Sequence, residues 1–164
     1  MKIGVISDTH LRGYDERLAR VLHEPFRDVD MILHAGDLVD AAVLDIFAPR
    51  DVRAVCGNMD PPSVRDILPE YLLLEIEGYK VALIHGWGSP FGIERRLLER
   101  VDKVDCLIYG HTHQPMNEKR DGVLFFNPGS ATDRRFAGAD TVGIIDFGTE
   151  IKAEIITLEG SGTD

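Results

Sequence analysis

The chain is 164 residues long, 44% hydrophobic, and carries a formal net charge of −10. That length suffices for one well-buried core, and the acidic balance excludes a surface built to grip DNA, RNA or an anionic membrane, which needs clustered Lys and Arg. The apolar stretches fall far below membrane-crossing length and the chain enters a strand pattern at once, so a cytoplasmic protein is expected, with Cys56 and Cys106 as buried reduced thiols.

The first half alternates short β-rich runs with helical patterns, the signature of parallel βαβ units. "KIGVIS" reads as a buried strand, and residues 14–24 place Leu18, Val21 and Leu22 at helical spacing before Pro25. "MILHAG" is a second strand; residues 40–48 read as a helix capped by Asp40 with Val43, Leu44 and Phe47 as its apolar stripe; "VRAVCG" is a third strand. From residue 71 the rhythm changes to a hairpin, "YLLLEI" and "YKVALIHG" around Glu77 and Gly78. Ser89 and Pro90 then supply a cap and first-turn proline for a helix through about Val101, followed by the strand "DCLIYG". Two more hairpins follow, "MNEKR" with "VLFFNPG" around Asp121-Gly122, and "TVGIIDF" with "IKAEIITL" around "GTE". Parallel units followed by hairpins imply an α/β fold: two mixed β-sheets packed as a sandwich with helices on the outer faces, formed by residues 1–158, with a flexible tail at 159–164.

Five of these strands run into short polar clusters: "SDTH", "AGDL", "GNMD", "HGWG" and "GHTH". Ligands of sheets with parallel connections gather beyond the carboxyl ends of the strands, where loops from distant segments meet. The clusters offer Asp8, His10, Asp37, Asn58, His85, His111 and His113 as candidate metal ligands. In an extended or sharply turning segment, His111 and His113 present their imidazoles to one point. Each position alone has a dull explanation, such as a turn cap for Asp8 or Asp37, or a backbone-bonded histidine for His85; the joint pattern outweighs these. Seven ligands exceed one tetrahedral zinc, and no cysteine is recruited, so two divalent ions sharing a carboxylate fit better than a closed structural site. The mixed oxygen and imidazole donors suit manganese, nickel, zinc, iron or cobalt. His34 is assigned to packing or to hydrogen bonding behind the ligands, and His23 to a helix surface.

The order "DTH", "GD", "GNMD", "HG" and "GHTH", over nearly the whole chain, resembles the calcineurin-like metallophosphoesterase superfamily, in particular its small single-domain phosphodiesterase branch. The resemblance implies a four-layer fold in which Asp8, His10, Asp37 and His113 hold one metal and Asp37, Asn58, His85 and His111 the second, Asp37 bridging. Asp37, Asn58 and His111 would then serve catalysis through metal positioning. "NPGS" at residues 127–130 resembles the family's closing loop, and Arg134 and Arg135 are candidates to reach a phosphate. The implied chemistry is hydrolysis of a small phosphodiester by hydroxide that two metals generate and aim in line. Four metal charges less Asp8, Asp37 and one hydroxide leave about one positive charge, which matches a diester monoanion. In many members the asparagine is followed by a histidine that assists the leaving group, oriented by an acid; here those positions are Met59 and Asp60, and a thioether donates no proton. Asp60 is thus a further catalytic candidate or only a turn residue. Two rival readings stay open: a scaffold that has lost hydrolysis, like the retromer subunit built on this fold, and a metal-dependent nuclease, disfavoured by the acidic charge. Expected partners are a small phosphoester and, by analogy, further copies of the chain, with no nucleic acid or membrane.

Overall fold

Burial of the central strands on both faces decides the architecture. In the computed structural model, which describes residues 1–135 and 138–158, the first sheet contains β1 (Lys2–Ile6), β2 (Met31–His34), β3 (Asp51–Ala54), β9 (Thr141–Phe147) and β10 (Ile151–Thr157). The second contains β4 (Tyr71–Ile76), β5 (Tyr79–Ile84), β6 (Cys106–Tyr109), β7 (Met116–Arg120) and β8 (Val123–Asn127). The strand orders are β10-β9-β1-β2-β3 and β4-β5-β6-β8-β7. Both sheets are mixed: β1, β2 and β3 run parallel, as do β5, β6 and β8, and the outer pairs β4–β5, β7–β8 and β9–β10 are the three expected hairpins.

Alternate residues of each parallel strand face opposite ways. Ile3 and Val5 of β1, Val81 and Leu83 of β5, and Cys106 and Ile108 of β6 meet between the sheets around Phe126 and Phe147. Their neighbours point outward under helices. Ile6 and Ile32 pack beneath α1 (Glu16–His23) with Leu18, Val21 and Phe47, while Ala82, Leu107 and Tyr109 pack beneath α3 (Ile93–Leu98) with Ile93 and Leu97. Four layers result. Burying an aliphatic or aromatic side chain of this size stabilises by about 1.5–3 kcal/mol, so this alternation fixes the register of both sheets.

The helices depart from the sequence reading in instructive ways. α1 starts at Glu16 because the Asp15 side chain accepts the Arg17 N–H at 2.8 Å. Residues Ala41–Phe47 keep the Asp40 cap and bury Val43 and Phe47, but they form a 3-10 helix. A seven-residue stretch closed off by Pro49 gains little from α-helical propagation, so it tightens into i→i−3 bonds such as Ala48 N–H to Asp45 O. The third helix starts later than Ser89 and Pro90 suggest, because Gly92 sits at φ 67° and interrupts any helix begun before it. A four-residue helix, α2 (Pro62–Arg65), occupies what reads as a proline-rich turn. The tail 159–164, expected to be flexible, lies outside the described residues.

Among the described residues, no helix is long and apolar enough to cross a membrane. Cys56 and Cys106 are buried free thiols, as their apolar neighbours suggest. Burial, reinforced by the charge of Asp105, pushes the Cys106 thiol well above its ordinary range. Because the thiolate is the reactive form, Cys106 should stay unmodified by a disulfide reagent in the native protein and react at once in denaturant, as peptide mass mapping will show.

Candidate metal centre

The carboxyl ends of β1, β2, β3, β5 and β6 converge, and their loops are fastened to one another before any metal is considered. Asp8 N–H donates to Gly36 O and His10 N–H to Asp37 O, both at 3.0 Å, which zips the first loop to the second. Gly110 N–H donates to His85 O at 3.0 Å, joining the fourth loop to the fifth. The link between the sheets comes from Asp8 itself: its Oδ2 accepts Ser7 Oγ–H at 2.6 Å and His111 N–H at 3.1 Å. Gly110 is required at that crossing, since a Cβ there would stand 2.1 Å from Ser7 Oγ and 2.7 Å from Asp8 Oδ2.

Asp8 is fully buried, and its other oxygen, Oδ1, has no hydrogen-bond partner among the described residues. Three imidazole nitrogens face that oxygen: His113 Nε2 at 3.3 Å, and His10 Nε2 and His85 Nε2 at 3.9 Å. His10 Nε2 and His113 Nε2 are themselves only 3.2 Å apart. On the other side Asp37 Oδ2 lies 3.3 Å from His85 Nε2 and 3.9 Å from His10 Nε2. Two overlapping groups therefore have donor atoms close enough to share an ion: Asp8, His10 and His113, and Asp8, Asp37 and His85. Asn58 Oδ1 extends the second group, 3.2 Å from His85 Nε2 and 2.8 Å from His111 Nδ1. For comparison, donors bound to one cation at about 2.0–2.2 Å stand roughly 3–3.5 Å apart. The donor set fits divalent metal.

The backbone records how hard these donors are to assemble. Asp8, His10, Asp37, His111 and His113 all have φ between 47° and 69°, the left-handed region. Each non-glycine residue held there costs roughly 1–2 kcal/mol, and such strain clusters at functional sites. It also corrects one expectation. His111 and His113 do not point to a single place: in this turn His113 faces Asp8 and His10, whereas His111 faces Asn58 and donates Nε2–H to Gly88 O at 2.8 Å.

Several groups aim the donors from behind. His85 Nδ1 is 2.7 Å from Ala35 O, which fixes the ring and turns Nε2 toward the carboxylates. Asp37 Oδ1 accepts Met59 N–H at 2.7 Å. Asp60 is buried and spends both oxygens on the N–H groups of Asp37, Val39 and Gly57, at 3.1, 2.6 and 2.7 Å. It shapes the loop that carries Asp37. Asn127 donates Nδ2–H to Gly110 O at 2.9 Å and Ser130 donates Oγ–H to Asp8 O at 2.7 Å, so "NPGS" buttresses the site rather than merely ending a strand. Asp133, which the sequence pattern does not reveal, lies 3.5 Å from His113 Nδ1. Its Arg135 hydrogen bonds hold its carboxyl down at about 2, so it faces the imidazole as an anion. Arg135 is thus engaged with Asp133, and Arg134 donates to Asp140 at 2.9 Å.

Electrostatically the centre is poised for positive charge. Burial disfavours protonated His85, but the Asp37 hydrogen bond and the charges of Asp8 and Asp37 outweigh it and raise His85 to about 9. Burial likewise opposes ionisation of Asp37, yet its bond to His85 prevails and keeps the carboxyl below the usual range. His34 shows the opposite balance. Wholly buried, it is driven down to about 3 by desolvation. Its Nδ1 accepts Gly36 N–H at 3.2 Å, which leaves Nε2–H to donate to Thr9 Oγ1 at 3.1 Å. Neutral His34 thereby braces the first two ligand loops.

A scan against family models matches residues 1–150 to the calcineurin-like phosphoesterase superfamily domain. A probable metallophosphoesterase of Methanothermobacter thermautotrophicus is 39% identical over 161 residues, covering 95% of this chain and 92% of that protein. Among solved structures, a novel archaeal phosphodiesterase superposes with a TM-score of 0.72 at 30% identity, covering 95% of this chain and all of that one. Vps29 of Chaetomium thermophilum gives 0.73 at 20% identity over 96% and 97% of the two chains, a likeness of fold.

His34 yields a stability test. The unfolded chain takes up this proton near pH 6.5 and the folded chain only near 3, so acid favours unfolding throughout that window, by at most about 1.4 kcal/mol per pH unit. In metal-free protein, denaturant melts from pH 7 to 4 should show a shallower loss of stability for His34→Gln than for the wild type. The convergence of five loops, their donor set and these matches lead to one assignment: the chain belongs to the calcineurin-like phosphoesterase superfamily.

Proposed function

We propose that this chain hydrolyses a small phosphodiester with two divalent cations. The observation that carries the reading is the buried, unpartnered Asp8 Oδ1 facing three imidazoles, with Asp37 and Asn58 extending the donor set to His111. Asp8, His10, Asp37 and His113 would hold one ion, and Asp37, Asn58, His85 and His111 the other. When bound, a pair of such ions clamps phosphoryl oxygens and brings the pKa of a water to about 7.

The chain's own residues set the rest. Asp8 is pinned through Oδ2 by Ser7 and His111, so only Oδ1 is offered inward. Asp37 is pinned through Oδ1, so Oδ2 is offered. Such anchoring removes the reorganisation that a flexible carboxylate needs at the moment of reaction. Neither residue after Asn58 supplies a proton to a departing alkoxide: Met59 carries a thioether and Asp60 is consumed by three amides. The leaving group must then depart as a good anion or take its proton from water or another residue. Diesters with acidic leaving groups are favoured over monoesters, and manganese, nickel, zinc and iron are all compatible with the donors. The chain's relationship to a named archaeal phosphodiesterase, 30% identical, supports the diester preference.

Metal-stripped protein should be inert toward bis(p-nitrophenyl) phosphate and regain turnover with manganese, nickel or zinc, with two ions per chain by elemental analysis. Asp37→Asn, which keeps the Met59 contact, should lower kcat on the order of 100-fold or more with an unchanged circular dichroism spectrum. Stoichiometric metal without turnover on any ester would turn the reading toward a scaffold. The leaving-group argument has its own test. Across a series of aryl diesters, log kcat/KM should fall steeply with the pKa of the leaving phenol, and Met59→His should flatten that slope, raising turnover of the poorest leaving groups by roughly 10–100-fold.

A further inference from the structure

Directly beside the second group of donors lies a groove of about 440 Å³ that reaches from Asn58 and His85 to Arg100. We infer that this groove receives the organic group of the diester and that the group is a nucleoside. The inference rests on the phosphodiesterase reading for its chemistry but on the groove alone for its ligand. Ile84 and Cys56, both buried, give it an apolar floor, and the partly exposed rings of Trp87 and Tyr71 line it. Trp87 is 41% exposed yet its backbone is fixed, because Arg96 donates to Trp87 O at 2.7 Å and the next carbonyl, Gly88 O, accepts from His111. The indole is therefore carried on the loop that joins His85 to the His111 contact, so a ring stacked on it is held at a defined distance from the phosphoryl site. Stacking on an aromatic face tolerates any base.

Two guanidinium groups complete the lining. Arg65 donates Nη2–H to Asn58 O at 2.6 Å, and Arg100 lies over the Tyr71 ring at 5.9 Å from its centroid. Both present donors that suit the carbonyl edge of a base or a second anionic group. Glu70 pairs with Arg100 at 3.3 Å, leaving the lining with two cations against one carboxylate. Such a weakly positive groove on a chain of net charge −10 welcomes one nucleotide and rejects a long polyanion. The volume is within the range of small-ligand sites.

Trp87 is the single tryptophan of the chain, so it reports directly on its own groove. In metal-free protein, thymidine 5′-monophosphate should quench its fluorescence saturably, whereas inorganic phosphate at equal concentration should not. With metal added, the p-nitrophenyl ester of thymidine 5′-monophosphate should exceed methyl p-nitrophenyl phosphate, which shares its leaving group, by roughly tenfold or more in kcat/KM. Trp87→Ala should erase that advantage through KM of the thymidine ester, and Tyr71→Leu should do the same if the first variant folds poorly. Equal rates on the two esters without quenching, or an advantage that survives both substitutions, overturns the groove assignment and spares the hydrolase. Quenching without turnover of either ester does the reverse: the nucleoside groove stands and the hydrolase reading falls.

Discussion

A carboxylate buried to zero exposure, with one oxygen tied down and the other left without a hydrogen bond among the described residues, is the constraint from which this structure is best understood. Left alone, an unsatisfied charged oxygen in the interior costs several kcal/mol. Asp8 Oδ1 is in that position, and its surroundings supply imidazole nitrogens rather than ammonium or guanidinium groups. Imidazoles near a carboxylate can neutralise it only by taking up protons, which is what the raised His85 pKa of about 9 reports, or by sharing a cation with it. A cation satisfies the carboxylates and the imidazoles together, and it does so without requiring any of the rings to be charged.

That requirement reaches back into the fold. Asp8 ends β1 of the first sheet, yet its fixed oxygen is bonded by the backbone of His111, which follows β6 of the second. The candidate metal centre is therefore also a weld between the sheets. Only a backbone without a side chain passes at the crossing, as the 2.1 Å approach of a hypothetical Gly110 Cβ to Ser7 Oγ shows. The left-handed conformations of five of the seven donors belong to the same arrangement: strand ends must turn within one or two residues to aim side chains at a common centre.

The sequence made strands and donors legible for different reasons. Strands are visible as short apolar runs, the central ones buried on both faces, and the hairpin partners were readable from the turn chemistry at Gly78, Asp121-Gly122 and "GTE". The candidate donors were readable because each follows such a strand. What stayed hidden depends on contacts that no local pattern encodes. Asp133 meets His113 from twenty residues away, and Ser130 reaches Asp8 across 122. Gly92 looked permissible inside a helix until its positive φ placed the helix start after it. The expectation that His111 and His113 share a direction failed because two left-handed residues on either side of Thr112 send the rings apart. The same geometry turns His113 toward Asp8 and His111 toward Asn58.

Asp60 shows how a loop can keep its shape while its chemistry moves elsewhere. A carboxylate holding three amides from two loops is a structural clamp, and using it as an acid would require breaking bonds that position Asp37. The neighbouring side chain, Met59, projects into solvent at 61% exposure and contributes neither proton nor charge. Discrimination among substrates must then arise from the ester rather than from the acid that meets it: from the stability of the departing anion, and from whatever the groove beside Asn58 can hold. An apolar floor with two aromatic rings would discriminate by shape and stacking, interactions that persist at any ionic strength, while the chain's net charge of −10 disfavours extended polyanions. On the proposed reading, selectivity would then rest on the organic part of a small diester, which is the part the donor cluster itself does not touch.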